Sequence, residues 1–208
     1  MKIGLAVPGW MARALFEAAL IVFAVVLGFV VNEWRETVDA ERRADAALSR
    51  IVEEMTANRD ALERVVGYHE QVSASLAGVA QALHDGEGEA DGRLFETVGP
   101  IMPLGIQEPR LSHVVWSQAS GQDVLANAEF GLIARIAGVY SMQESGVEAT
   151  WRAVANTFFA NADSYRTQEL EPHLTFMSVA FGELASQERY LISEYEAAIP
   201  IVVAAGEK

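Results

Sequence analysis

The sequence predicts an all-α protein in which one N-terminal transmembrane helix continues into an extramembrane antiparallel bundle of about four long helices. Ala18–Val31 is a run of fourteen residues without a polar side chain. Apolar residues then recur at three-four spacing along most of the chain, and no long segment alternates like a half-buried strand. We therefore divide the chain into a short N-terminal segment (1–13), a transmembrane helix (14–34) and an α-helical extramembrane domain (35–208).

The apolar run has the length of a membrane span. Ala14–Trp34 is 21 residues, or about 32 Å at about 1.5 Å per residue, and a hydrocarbon core is about 30 Å thick. The run is long for a signal peptide, and the NEWRE that follows lacks a small-residue cleavage pattern. A buried soluble helix would not need apolar residues around its whole circumference. We interpret the run as a retained transmembrane helix.

Five residues are predicted to lie at the membrane interfaces: Trp10, Arg13, Glu17, Asn32 and Trp34. The two tryptophans bracket the span, where amphipathic aromatic side chains favour the headgroup region. Glu17 is the ionisable residue inside the run, and a carboxylate in hydrocarbon is costly. Two interpretations stay open, since Glu17 can reach interfacial water or be protonated, or it can contact Arg13 four residues earlier or a partner helix.

The charges around the span favour one orientation. Residues 1–31 contain two basic residues and one acidic residue, so the excess negative charge follows them. Lysine and arginine counts on the two sides are nearly equal, but a short basic N-terminus before a first span usually stays inside. We expect a bacterial inner-membrane protein with a cytoplasmic N-terminus and a periplasmic helical domain.

A heptad pattern follows the span and predicts a long helix as far as Leu83. The repeating positions are Leu48, Met55, Leu62, His69, Leu76 and Leu83, with Ile51, Asn58, Val65, Val72 and Val79 three residues after the first five. Flanking positions are also apolar or small, so the face is wider than the seam of a two-stranded coiled coil. This breadth is typical of one helix in a bundle.

The remaining elements follow from glycine, proline and apolar spacing. Residues 85–92 form a glycine-rich acidic break, and residues 99–109 hold three prolines, which exclude regular helix. A short helix is predicted near 111–119. Longer helical patterns cover 124–140 and 147–165, and a third follows Pro172, which suits a first helical turn.

Three polar residues interrupt the apolar seams: Asn58, His69 and Glu188. One buried polar residue often determines the register or oligomeric state of packed helices. Alternatively, the three residues form a polar pocket that binds a small ligand, or they face solvent on a slightly rotated seam. The sequence leaves these three interpretations open.

Composition and motifs exclude several functions. The chain has 15 basic and 29 acidic residues and a formal net charge of −14, which disfavours any nucleic-acid partner. Cysteine is absent, which excludes disulfides, thiolate nucleophiles and zinc–thiolate sites. The four histidines form no metal-binding motif, and no nucleophile or nucleotide-binding motif is present. We therefore expect no cofactor, no metal, no catalytic residue and no enzymatic activity.

Two stretches carry a family resemblance. Leu15–Glu36 (LFEAALIVFAVVLGFVVNEWRE) resembles the N-terminus of a large uncharacterised bacterial family of single-pass membrane proteins, which have an aromatic–Glu pair, an apolar span and an Asn-x-Trp-x-Glu exit. Trp116–Gly121, followed by a helix ending at Tyr140, is similar to a second feature of that family. The resemblance implies a membrane anchor, a helical domain and six signature positions, and it implies no activity. These positions are Glu17, Asn32, Trp34, Trp116, Gly121 and Tyr140.

These observations together predict a single-pass, membrane-anchored helical interaction protein, either an oligomer or an accessory or structural subunit of a larger bacterial membrane complex. Its expected partners are the lipid bilayer and itself or another membrane protein, with the apolar tail Ile199–Ala205 as one docking element. One alternative is an extracytoplasmic ligand-sensing bundle that signals through a partner, because no output domain is recognisable. A second alternative is a membrane-tethered enzyme.

Overall fold

The computed structural model describes residues 9–87, 94–126, 128–160 and 170–206. Six α-helices, one 3-10 turn and one π-helix occur in these ranges, and the described residues contain no strand, which confirms the all-α class. The α-helices are α1 (Gly9–His84), α2 (Leu94–Val98), α3 (Val114–Ser120), α4 (Phe130–Met142), α5 (Ala149–Ala160) and α6 (Leu170–Gly206); the 3-10 turn is Asp123–Leu125 and the π-helix is Gln143–Glu148.

The chain divides into two units, one up to Ala44 and one from Asp45 onward. The predicted long helix is confirmed, because α1 begins before the apolar run and ends at His84. In the first unit, every described side chain from Ala14 to Val31 is exposed. Among the described residues, α1 is the one helix long and apolar enough to cross a membrane, and none of its most apolar window is buried.

The second unit is a helical bundle, and side-chain contacts between its helices show how the helices are arranged. Asn58 and His69 of α1 bond to Tyr195 and Glu188 of α6 respectively, so these helices run antiparallel. Helices α4 and α5 are joined through the π-helix into one continuous helical stretch from Phe130 to Ala160. That stretch also runs antiparallel to α6. The direction follows from two contacts with α6, the ion pair Arg135–Glu194 and the hydrogen bond from Thr150 to Gln187.

The predicted heptad face of α1 forms much of the bundle core. Ile51, Leu62 and Leu76 are fully buried, and so are Phe181 and Tyr195 on α6. The core continues into two clusters, one around Ile51 and Tyr195 and the other around Leu76 and Phe181. The positions of this face were predicted from their spacing alone. They are buried because the apolar face of each helix can leave water only by packing against the apolar faces of the other helices.

The C-terminal apolar tail is part of this core. α6 continues through Pro200, whose ring is exposed, and Val202 is fully buried in the first core cluster. The tail therefore packs, through one face, on its own bundle. Ile201 and Val203, on the other face, are exposed. Residues 88–92 of the predicted break and 161–165 of the predicted 147–165 helix lie outside the described residues.

Candidate functional site

The predicted interface residues are exposed on α1. Trp10 is 73% exposed and Trp34 is 66% exposed. The Arg13 guanidinium lies 3.6 Å from the Glu17 carboxylate, which is the contact that the i, i+4 spacing allows. The Asn32 side-chain amide donates to Glu36 over 2.7 Å. The polar groups at both ends of the apolar run therefore have partners within the helix itself.

In the bundle, a carboxylate on α1 caps helix α3. Glu54 accepts the backbone N–H groups of Val115 and Trp116 at 3.0 and 3.1 Å. These are among the first N–H groups of α3, which have no partner inside the helix. Glu54 also accepts the hydroxyls of Ser112 at 2.6 Å and Tyr140 at 2.8 Å. Four donors from three parts of the chain therefore converge on one nearly buried carboxylate.

The pKa of Glu54 reflects two opposing causes. Burial raises this pKa, but the hydrogen bonds from Ser112, Val115, Trp116 and Tyr140 together outweigh burial and lower it below its ordinary value. Glu54 is therefore ionised at neutral pH, and its negative charge is stabilised by these four hydrogen-bond donors. Burial of the Tyr140 hydroxyl, together with its hydrogen bond to the charged Glu54, raises the pKa of Tyr140, so the tyrosine remains a donor.

Two of the residues singled out by the family resemblance meet at this carboxylate. The rings of Trp116 and Tyr140 stack with centroids 5.6 Å apart and an interplanar angle of 4°. Trp116 reaches Glu54 through its backbone and Tyr140 through its hydroxyl. The stack therefore joins the start of α3 to the end of α4, and both of its residues donate to Glu54 of α1.

Asn58 lies one turn further along α1 and holds the segment before α3. Its side-chain amide donates to the Ser112 carbonyl at 2.6 Å, while its oxygen accepts the Ser112 N–H at 2.8 Å. The same amide lies within hydrogen-bond distance of Gln143 and Tyr195. Gln143 in turn donates to Glu148 at 2.9 Å. We call this set, with Glu54 and Tyr140, the Asn58 network.

His69 and Glu188 form a second buried polar group. Both side chains are fully buried, and Nδ1 of His69 is 2.9 Å from both Glu188 carboxyl oxygens. Nε2 of His69 is 2.9 Å from the Gln107 carbonyl, which also accepts the Trp151 indole N–H at 3.1 Å. A carbonyl can only accept, so Nε2 carries a proton. We call these four residues the His69 network.

This geometry requires one further proton between histidine and glutamate. Since Nε2 is protonated, either Nδ1–H donates to a carboxylate or a protonated Glu188 donates to Nδ1. The pair is electrically neutral in both cases, which avoids a net charge in the core. Burial raises the pKa of Glu188, and the hydrogen bond and charge of His69 lower it only in part.

Of the three predicted seam residues, His69 and Glu188 contact each other, and Asn58 belongs to the other network. All three are buried, so the solvent-facing interpretation is wrong for them. Sequence reasoning missed Glu54 and Gln143. Gln143 carries a signal, because it lies four residues after Val139 and four before Val147 on one apolar face. Glu54 only flanks the seam and carries none.

The described residues contain no group of three or more histidine, aspartate or glutamate side chains that could hold a metal ion. No protein-family model, no curated protein and no solved structure matches the chain.

Proposed function

We propose that this chain is a single-pass interaction protein of the bacterial inner membrane, with its N-terminus in the cytoplasm and its helical bundle in the periplasm. The proposal assigns no catalysis to the bundle. It rests on one observation above all, the wholly exposed apolar surface of α1 from Ala14 to Val31. In water, so long an apolar surface is strongly unfavourable, whereas in lipid it needs no protein cover.

The interaction role is supported by apolar surface on the bundle itself. A groove between α5 and α6 is lined mainly by apolar side chains, and two of these lining residues, Phe176 and Val179, are more than half exposed. Exposed apolar patches of this kind are typical of sites that contact other proteins. The partner in this proposal is a second copy or another membrane protein. Membership of the bacterial family that the N-terminus resembles is part of the same proposal.

Membrane insertion is tested by a double substitution, Val22→Arg with Val26→Arg. Two arginines near the centre of the span cost about 5–7 kcal/mol of insertion free energy. We expect the wild-type chain to stay in the membrane pellet after alkaline carbonate extraction, and the double variant to move largely into the supernatant. As the matched control, Thr37→Arg with Glu41→Arg leaves the chain in the pellet. Wild-type chain in the supernatant would refute the anchor.

Orientation and association need separate measurements. A reporter that is active only in the periplasm is expected to give a signal when it is fused at Lys208. A signal from a reporter that is active only in the cytoplasm, fused at the same residue, would contradict the proposed orientation. Native mass measurement after mild-detergent extraction is expected to give an oligomer or a complex with a co-purifying membrane protein. A lone monomer would contradict the interaction role and leave the anchor intact.

A further inference from the structure

Both buried networks hold the same short segment, Gln107–Ser112. The His69 network holds its first residue through the Gln107 carbonyl, and Asn58 holds its last through both backbone groups of Ser112. The residues between these two anchors line a pocket of about 380 Å³ together with residues on the π-helix and α5. Small-molecule pockets generally have volumes of about 300–1,000 Å³.

The opposite wall of the pocket is anchored by the same networks. Glu148, the last residue of the π-helix, accepts from Gln143 at 2.9 Å. The Trp151 indole donates to the Gln107 carbonyl at 3.1 Å. Short π-helical turns inside α-helices occur frequently at functional sites. Both walls are therefore held by partly buried hydrogen bonds, which keep a binding site preformed.

Two oppositely charged side chains that line the pocket have no ion-pair or hydrogen-bond partner among the described residues. The carboxylate of Glu148 is occupied by Gln143 and by Arg152 at 3.5 Å. By contrast, neither Glu108 nor Arg110 has an ion-pair or side-chain hydrogen-bond partner within the described part of the chain. Within the described residues, the pocket thus offers an unpaired guanidinium and an unpaired carboxylate, and Leu111 and Trp151 line it as well.

We propose that this pocket binds a small zwitterion of the free amino-acid class. The Arg110 guanidinium presents paired N–H donors that match the geometry of a ligand carboxylate. Glu108 takes the ligand ammonium, and Trp151 with Leu111 covers an apolar ligand side chain. This inference concerns a soluble ligand, so it does not depend on the membrane anchor or on the bundle's protein partner.

The test is isothermal titration of the full chain in detergent with each of the twenty standard amino acids. For the tightest binder, the titration is repeated with the matching amine that lacks the carboxylate and with the matching acid that lacks the amine. We expect saturable binding of at least one amino acid and at least tenfold weaker binding of both comparators. Arg110→Ala and Glu108→Ala each weaken binding at least tenfold. The matched control Arg64→Ala, an exposed arginine of α1, leaves it unchanged.

Three results would overturn the assignment. The first is the absence of saturable binding by any of the twenty amino acids. The second is binding that survives Arg110→Ala, since the ligand would then lie elsewhere. The third is equal binding of the amine or the acid, which would remove one of the two charges from recognition. Melting temperatures of the variants, expected to equal that of the wild type because both side chains are exposed, separate lost binding from lost folding.

Discussion

Glu54→Gln is the substitution whose effect the structure defines most sharply. One carboxylate oxygen accepts Ser112 and Val115, and the other accepts Trp116 and Tyr140. An amide replaces one of these oxygens by an NH₂ group. A hydroxyl can rotate to accept from this group, but a backbone N–H cannot. In either orientation of the amide, therefore, one backbone N–H at the start of α3 loses its acceptor.

The expected cost follows from that orphaned donor. Hydrogen bonds to charged groups contribute about 1.5–3 kcal/mol, and an unsatisfied buried donor costs about 1–3 kcal/mol, so the free energy of unfolding should fall by about 2–4 kcal/mol. For a chain of this size, that lowers the melting temperature by about 4–16 °C. Calorimetry of the full chain in detergent measures it, and near-UV circular dichroism follows the Trp116–Tyr140 stack.

The neighbouring residue is the matched control, because Glu53 is exposed and has no hydrogen bond within the described chain. Glu53→Gln should change stability by less than about 0.5 kcal/mol. Because the folded pKa of Glu54 is lowered, its contribution is present above the unfolded value of about 4.3 and is lost as the pH falls through the folded value. The gap between wild type and Glu54→Gln should therefore narrow in acid. Equal stability of Glu54→Gln and Glu53→Gln at pH 7 would refute the role of Glu54 in capping α3.

Three further predictions concern the bundle core. Because burial raises the pKa of Glu188 above its unfolded value of about 4.3, the stability linked to its bound proton is present below the unfolded value and should be lost as the pH rises through the folded value, by at most about 1.4 kcal/mol per pH unit. Glu188→Gln, whose amide cannot ionise, should lose less stability than the wild type over that rise in denaturant titrations; equal pH dependence of the two proteins would contradict the raised pKa. Phe181→Ala should cost about 3–5 kcal/mol by leaving a cavity, whereas Phe176→Ala, at an exposed position, should cost far less, and similar melting temperatures would dispute the assigned core. Asn58→Ala leaves the Ser112 N–H without its acceptor, whereas the Ser112 carbonyl still accepts from Gln143 at 3.3 Å. The substitution should lower the free energy of unfolding by about 1–3 kcal/mol, whereas Asn156→Ala, at an exposed position, should change it very little; loss of that contrast in thermal melts would mean that the segment before α3 is held by other contacts.

The three-four spacing of apolar residues predicts the part of the core that depends only on the geometry of a single helix. A helix brings residues three and four apart onto one face, so Leu62 and Leu76 could be assigned to the core without any knowledge of their neighbours. The same argument placed Asn58 and His69 on that face. It could not say which polar group each would meet, because His69 and Glu188 lie 119 residues apart.

Tertiary packing also changed how two segments are interpreted. The tail from Ile199 was expected to dock on a neighbour, but α6 lies alongside α1 and buries Val202 in its own core. The patterns 124–140 and 147–165 were predicted as two helices. The π-helix between them widens one turn and lets a single helical stretch continue, a backbone choice that apolar spacing does not encode.

The sequence by itself determined the all-helical class, the exposed apolar stretch of α1 and the buried face of the heptads, since each depends on residues that are close along the chain. Only the tertiary structure decided that Glu54 caps α3, that His69 and Glu188 share a proton and that two networks anchor one segment beside a pocket. Those contacts join residues far apart in sequence, and a buried polar group must find its partner wherever the packed helices bring one within reach.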